Sequence, residues 1–252
     1  MNTPTDHTLA KVPEVTFGFW LLKIAATTLG ETGGDAVSMS MQLGYLDATF
    51  VFIAIFIVCV GAQVRARRFR PALYWATIVA TTTLGTTIAD FVDRSLGIGY
   101  AGGSALLLGL LLASLWLWQR SLGSVAVASV GTPRAEMFYW VTIMFSQTLG
   151  TALGDWSSST AGLGYVGAAI VFTVLLAGVA AAYFWTPVSR TLLFWAAFVL
   201  TRPLGASLGD FLDKPLGAGG LALSRYGASA VLACFMLLMI IFVRQRPARA
   251  AH

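Results

Sequence analysis

One pattern occurs four times in this chain and fixes most of what the chain can become. Trp is followed by Gly ten residues on, Asp five further and Gly nine further: Trp20–Gly30–Asp35–Gly44, Trp75–Gly85–Asp90–Gly99, Trp140–Gly150–Asp155–Gly164 and Trp195–Gly205–Asp210–Gly219. Leu precedes the first Gly every time (Leu29, Leu84, Leu149, Leu204), and a small residue precedes every Asp (Gly34, Ala89, Gly154, Gly209). Fixed residue types recurring in register mark an array of one supersecondary unit. Trp-to-Trp spacings of 55, 65 and 55 residues divide the four copies into two pairs. Asp90-Phe91-Val92-Asp93-Arg94 matches Asp210-Phe211-Leu212-Asp213-Lys214, whereas Ser38 and Ser158 take the second acidic position in the first and third copies. A unit that doubled, and then doubled again, accounts for both observations.

The environment follows from composition. Hydrophobic residues make up 57% of the chain and charged residues 11%, with a mean hydropathy of +0.78. Soluble domains carry about 25% charged residues, and apolar runs of ~20 residues suffice to span a bilayer. The expected class is all-α and polytopic: eight transmembrane helices, two per repeat, near residues 15–37, 44–64, 71–91, 99–118, 136–156, 163–185, 192–212 and 221–243. An even number of spans per unit gives every copy one orientation, so the repeats are parallel about an axis along the membrane normal. The organisation reads as a polar tail (1–14), a first four-helix half (15–119), a connector (120–135), a second half (136–243) and a basic tail (244–252). A turn is expected at Thr132-Pro133-Arg134, and Arg202-Pro203 is expected to interrupt the seventh helix. The start of the chain carries Asp6 and Glu14 and runs directly into the first repeat, unlike a cleavable signal peptide.

The net charge of +5 is no nucleic-acid signature, because the basic residues lie in short loops. Lys11, Arg65, Arg67, Arg68, Arg70, Arg120, Arg134, Arg190, Arg244, Arg246 and Arg249 fall in the tails and between repeats, whereas only Arg94, Lys214 and Arg225 fall in the hairpins. The positive-inside rule then puts both termini in the cytoplasm and the motif Asp residues toward the outer face. Cys59 and Cys234 each lie 39 residues after their repeat's Trp in apolar runs and read as buried free thiols rather than a disulfide or metal pair. The two histidines, His7 and His252, are terminal.

Odd and even spans differ in kind. The even ones are apolar all round, as in Leu106-Leu107-Leu108-Gly109-Leu110, while the odd ones carry Thr, Gly and ionisable residues. Polar side chains avoid lipid, so the odd helices should be central and the even ones lipid-facing. One face of each odd helix bears Gly30/Gly34, Gly85/Ala89, Gly150/Gly154 or Gly205/Gly209, a spacing that lets backbones approach closely. The adjacent stripe reads Thr28–Glu31–Asp35, Thr83–Thr86–Asp90, Thr148–Thr151–Asp155 and Pro203–Ala206–Asp210.

Asp35, Asp90, Asp155 and Asp210 allow two readings. They form either a ring of carboxylates that concentrates a cation, or helix ends that cap backbone or pair with Arg94 or Lys214. Lys23, Glu31 and Arg202 break the repeat, since the matching residues are neutral, and Gln147 lies on the same interior face. A charge at bilayer depth costs a few kcal/mol and by default marks function; the alternative is a structural ion pair of Glu31 with Arg202 or Lys23. The expected substrate path is Lys23, Thr28, Glu31, Thr83, Thr86, Gln147, Thr148 and Arg202, with the four Asp residues as metal ligands. Oxygen ligands without His or paired Cys imply a hard ion such as Mg²⁺, Ca²⁺ or Mn²⁺. No P-loop, HExxH or GxSxG motif is present, and neither a cofactor nor an enzymatic activity is expected.

The Trp-x9-Gly-x4-Asp copies resemble a bacterial family of integral membrane proteins built from four tandem two-helix repeats of unknown function, each with a characteristic Trp. The resemblance spans about residues 15–243 and implies eight helices in a bacterial inner membrane. Leu29-Gly30-Glu31-x3-Asp35 also looks like the acidic-glycine motifs of manganese and calcium exporters, although only the first copy has the Glu. The functional expectation is a secondary transporter or exporter of a small solute, first of all a hard metal cation, with proton coupling through Glu31 or an Asp. A non-transporting scaffold or partner-binding subunit is the alternative. Membrane lipid and a small cation or proton are the expected partners, nucleic acid is not, and oligomeric state is left open.

Overall fold

The computed structural model describes residues 10–248; His7, Arg249 and His252 lie outside the described residues. Among the described residues eight α-helices follow in order: α1 Phe17–Asp35, α2 Gly44–Arg65, α3 Pro71–Asp90, α4 Gly99–Leu122, α5 Pro133–Asp155, α6 Gly164–Trp185, α7 Arg190–Asp213 and α8 Arg225–Phe242. The described residues contain no strand beyond an isolated antiparallel bridge between Pro13 and Pro247. Thr132 and Pro133 do not form the expected turn. Thr132 accepts a hydrogen bond from the Ala135 N–H and Pro133 begins α5, the first helical position, where a missing N–H costs nothing.

Five helices, α2, α4, α6, α7 and α8, are long and apolar enough to cross a membrane. The other three, α1, α3 and α5, are of similar length but too polar to qualify, and the structure puts them inside. The odd helices form a closed ring, α1 against α3, α3 against α5, α5 against α7 and α7 back against α1. Each even helix packs on the odd helix of the following repeat: α2 on α3, α4 on α5, α6 on α7, and α8 on α1. The outer helices present Phe50, Ile57, Leu108, Val174, Leu237 and Ile241 to the surroundings, as lipid-facing helices do. Cys59 is half-buried on α2 and Cys234 exposed on α8, both free; the thiols face outward, not the protein interior, because they sit on this outer layer.

Every invariant position of the repeat acquires a reason from this arrangement. The Leu before the first Gly anchors the outer helix. Leu84 packs on Ala48 and Phe52 of α2, Leu149 on Leu107 and Leu111 of α4, and Leu204 on Ala168 and Phe172 of α6. Leu29 meets the cluster that holds Met236 and Leu232 of α8. The last Gly of each copy has positive φ (Gly44 76°, Gly99 75°, Gly164 65°, Gly219 85°), a left-handed backbone that costs other residues dearly. In the first three copies it follows a π-helical turn (Ala36–Ser40, Phe91–Ser95, Trp156–Thr160), and it turns the chain from the inner ring to the outer layer.

At the opposite end each Trp closes a collar with the aromatic residue that precedes it. Phe19 packs on Trp75 (5.5 Å between ring centres), Tyr74 on Trp140 (5.7 Å), Tyr139 on Trp195 (6.2 Å), and Phe194 on Trp20 (5.9 Å). The Tyr74 and Tyr139 hydroxyls share a 2.7 Å hydrogen bond. Residues 10–14 are no loose tail. The Ala248 N–H donates to Val12 O (2.8 Å), the Glu14 N–H to Arg246 O (2.8 Å) and the Lys11 N–H to Val130 O (3.1 Å), while Lys11 pairs with Glu136 at 2.6 Å. Trp75 Nε1 donates to Gln245 (2.8 Å) and Trp195 Nε1 to Val125 O (3.0 Å). A strap of residues near both chain ends and the 123–132 connector thus covers the collar.

Candidate functional site

The inner ring is assembled by sockets. Gly30, Gly85, Gly150 and Gly205 each receive the side chain seven residues after the next repeat's Trp: Thr82, Gln147, Arg202 and, closing the circle, Thr27. A methyl on Gly85 would stand 3.0 Å from both the Gln147 carbonyl carbon and the Thr148 nitrogen. One turn further, Gly34 receives Thr86, Gly154 receives Ala206 and Gly209 receives Glu31, whose Cβ is 2.7 Å from where a methyl would lie. The small residues therefore bring helices close and direct two side chains per helix toward the ring interior.

The first copy's charges meet the fourth copy's across this interior. Arg202, wholly buried, puts Nη2 3.0 Å from Oε2 of Glu31 and 2.6 Å from Oγ1 of both Thr86 and Thr151. Three side chains, one each from α1, α3 and α5, thus converge on one guanidinium from α7. Lys23, also wholly buried, has a different partner: its Nζ is 3.4 Å from Oε1 of Gln147 and 4.0 Å from the centre of the Phe198 ring. Among the described residues no carboxylate pairs with it. The helix α7 runs unbroken through Pro203, contrary to the expected interruption. The Pro203 ring packs against Gly150, its Cδ 3.0 Å from where a methyl would be, and that close contact with α5 holds the helix line.

At the motif-Asp end all four carboxylates are buried, and two cations bridge them. Arg94 lies 3.0 Å from Asp90 and 3.4 Å from Asp155, and donates to the Tyr45 hydroxyl at 3.0 Å and the Tyr100 hydroxyl at 3.1 Å. Lys214 bonds Asp35 and lies 2.9 Å from Asp210; Arg225 supports the same corner, 2.7 Å from Asp213 and 3.8 Å from Asp35. Burial alone would lower the Lys214 pKa, but Asp210, Asp35 and Asp213 outweigh it and raise it, so the ammonium stays charged. The Asp set is therefore two cation-bridged pairs, related as the two halves of the chain are related. The pairing alternative raised by the Arg94 and Lys214 positions is what the geometry holds.

One group within this end has a ligand-like arrangement. A carboxylate oxygen from each of Glu31, Asp35 and Asp210 lies within 4.8 Å of the others, and all three residues are buried. Three oxygen donors at that spacing suit a hard divalent ion. Asp90 and Asp155 do not belong to the group. Of the expected path residues, Lys23, Glu31, Thr86, Gln147 and Arg202 meet in the ring interior. Thr28, Thr83 and Thr148 do not join them. Their hydroxyls donate back to Ile24, Val79 and Met144 carbonyls at 2.9, 2.6 and 3.0 Å, the ordinary way a helical Thr satisfies itself. The interior line runs through residues three, seven and eleven after each Trp; the structure adds Thr151, which lies on the stripe but not in the expected path, and Thr82, which the stripe at eight, eleven and fifteen passes over. The signal was present: Lys23, Gln147 and Arg202 all break the repeat along that line.

A ring of polar helices inside a layer of apolar ones, with buried charges on its axis, defines an all-α polytopic membrane protein. The repeat family described as Repeat of Unknown Function (DUF347) matches the chain four times, over residues 18–69, 73–124, 138–189 and 193–247. The chain belongs to that family. No curated protein and no solved structure matches it.

Proposed function

We propose that this protein is a secondary transporter, an exporter of a hard divalent cation, with its path along the axis of the inner ring. The observation that carries the reading is the buried Glu31–Asp35–Asp210 group, with carboxylate oxygens within 4.8 Å of one another, set above an interior charged group that lipid would not tolerate. Lys214 occupies this group as an ammonium and Arg202 holds Glu31. An arriving cation would displace both, and their release is the conformational step that binding would drive. The aromatic collar and strap close the other end of the same axis.

The strap end carries Lys11, Arg65, Arg120, Arg134, Arg190 and Arg244, which supports an orientation with both termini in the cytoplasm of a bacterial inner membrane. The protein acts on its solute without chemistry. A scaffold reading is favoured by one fact, that every motif Asp already has a cation partner. Reconstituted vesicles loaded with a divalent-quenched dye separate the two. Mn²⁺ flux should appear with the wild-type chain and with Cys234→Ser, and should fall at least tenfold in Glu31→Gln and Asp210→Asn. Flux equal to that of empty vesicles for Mn²⁺, Ca²⁺ and Mg²⁺ sinks transport and leaves the scaffold.

A further inference from the structure

We propose that the middle of the ring holds an anion site, for one halide or one small carboxylate, formed by Lys23, Gln147 and Arg202. These residues come from three helices, and each departs from its repeat: Ile78, Ile143 and Phe198 stand where Lys23 does, and Thr27 and Thr82 where Gln147 and Arg202 do. Duplication alone would not have produced them, yet packing brings them together. Gln147 fits the socket at Gly85 and Arg202 the one at Gly150, so both stand at one level of the ring, and the Lys23 ammonium reaches the Gln147 amide.

The unsatisfied groups at this level are of one kind. Nε and Nη1 of Arg202 and Nε2 of Gln147 are buried without a partner, and Lys23 has only the amide oxygen and the Phe198 ring. All are donors. With Lys23 protonated the charge is unbalanced as well: two cations, Lys23 and Arg202, face one carboxylate, Glu31, whose ion pair is with Arg202. Lone buried donors destabilise the fold, and an uncompensated buried charge does so more strongly. Water would satisfy donors but leave the excess positive charge. A cation would add to it. A single negatively charged acceptor answers both deficits. This site does not rest on the transport reading; a scaffold would hold it equally well.

The test is thermal unfolding of the purified full-length protein in detergent, followed by tryptophan fluorescence. Sodium gluconate is exchanged for sodium bromide or sodium formate at constant ionic strength. A guest that binds only the folded ring raises the midpoint with saturation, by about 3–6 °C once its concentration reaches roughly ten times Kd. That rise should vanish in Lys23→Met and, separately, in Gln147→Leu, which keeps the ammonium should Lys23→Met fail to fold. Midpoints that are the same in bromide, formate and gluconate overturn the proposal. So does an undiminished rise in Gln147→Leu, which would move the effect to another part of the molecule.

Discussion

Replacing Gly85 by alanine sets two terms against each other, and the structure gives the size of each. In an exposed helix interior the change favours folding by about 0.5–1 kcal/mol, because alanine has less backbone freedom to lose. At Gly85 the new methyl meets α5 backbone, 3.0 Å from the Gln147 carbonyl carbon and the Thr148 nitrogen, and backbone cannot rotate away. Overpacking of this kind costs about 1–3 kcal/mol, so the expected net is a loss of roughly 1–2 kcal/mol, five- to thirtyfold in the folded-to-unfolded ratio. Gly33→Ala is the matched control. It lies on α1, within the same ring, but nothing stands within 4 Å of its added methyl, so the favourable term acts alone and stability should rise by about 0.5–1 kcal/mol. Denaturant titration of both variants in one detergent, read by tryptophan fluorescence, gives the two signs. If the two substitutions shift the midpoint in the same direction, the socket account of the repeat glycines is wrong.

Lys214→Met leaves Asp35 and Asp210 buried without their shared ammonium, and breaking a buried pair from one side costs about 3–5 kcal/mol; Asp210→Asn added to it should restore part of the lost melting temperature, whereas a purely additive loss would contradict the bridge. Trp75→Phe removes the 2.8 Å bond to Gln245 and should cost about 1 kcal/mol. Gln245→Leu should then add little to it in a double-mutant cycle, and full additivity would deny that the strap is pinned to the collar.

The helices and their boundaries were legible from periodic Trp, Gly and Asp, because a fourfold repeat multiplies a weak local signal. So was the sorting of odd from even helices, since a Thr- and Gly-rich span beside a Leu-rich one leaves little choice about which faces lipid. What the linear text hides is which neighbour each helix selects. Spacing puts Thr28 and Asp35 on one stripe, but the line that reaches the axis is set by how the next helix sits in the Gly30 and Gly34 sockets. A fit between two separate segments leaves no periodicity in either one. The strap was hidden for a similar reason: Lys11 finds Glu136 and the Gln63 and Val64 carbonyls, and nothing local to residues 10–14 announces those partners. Pro203 shows the reverse, a strong local breaking signal overruled by packing on Gly150.

The latch between the last outer helix and the first inner one has a consequence for how the molecule is made. Glu31 is separated from Arg202 by 171 residues, and α1 cannot receive α8, including the 2.8 Å Thr32–Ser229 bond, until nearly all the chain has emerged. At ribosomal rates of about 5–20 residues per second, that delay is on the order of 10–30 s. Throughout it a nascent segment bearing Glu31 has neither its Arg202 mate nor its outer cover, so the insertion machinery must shelter it from acyl chains.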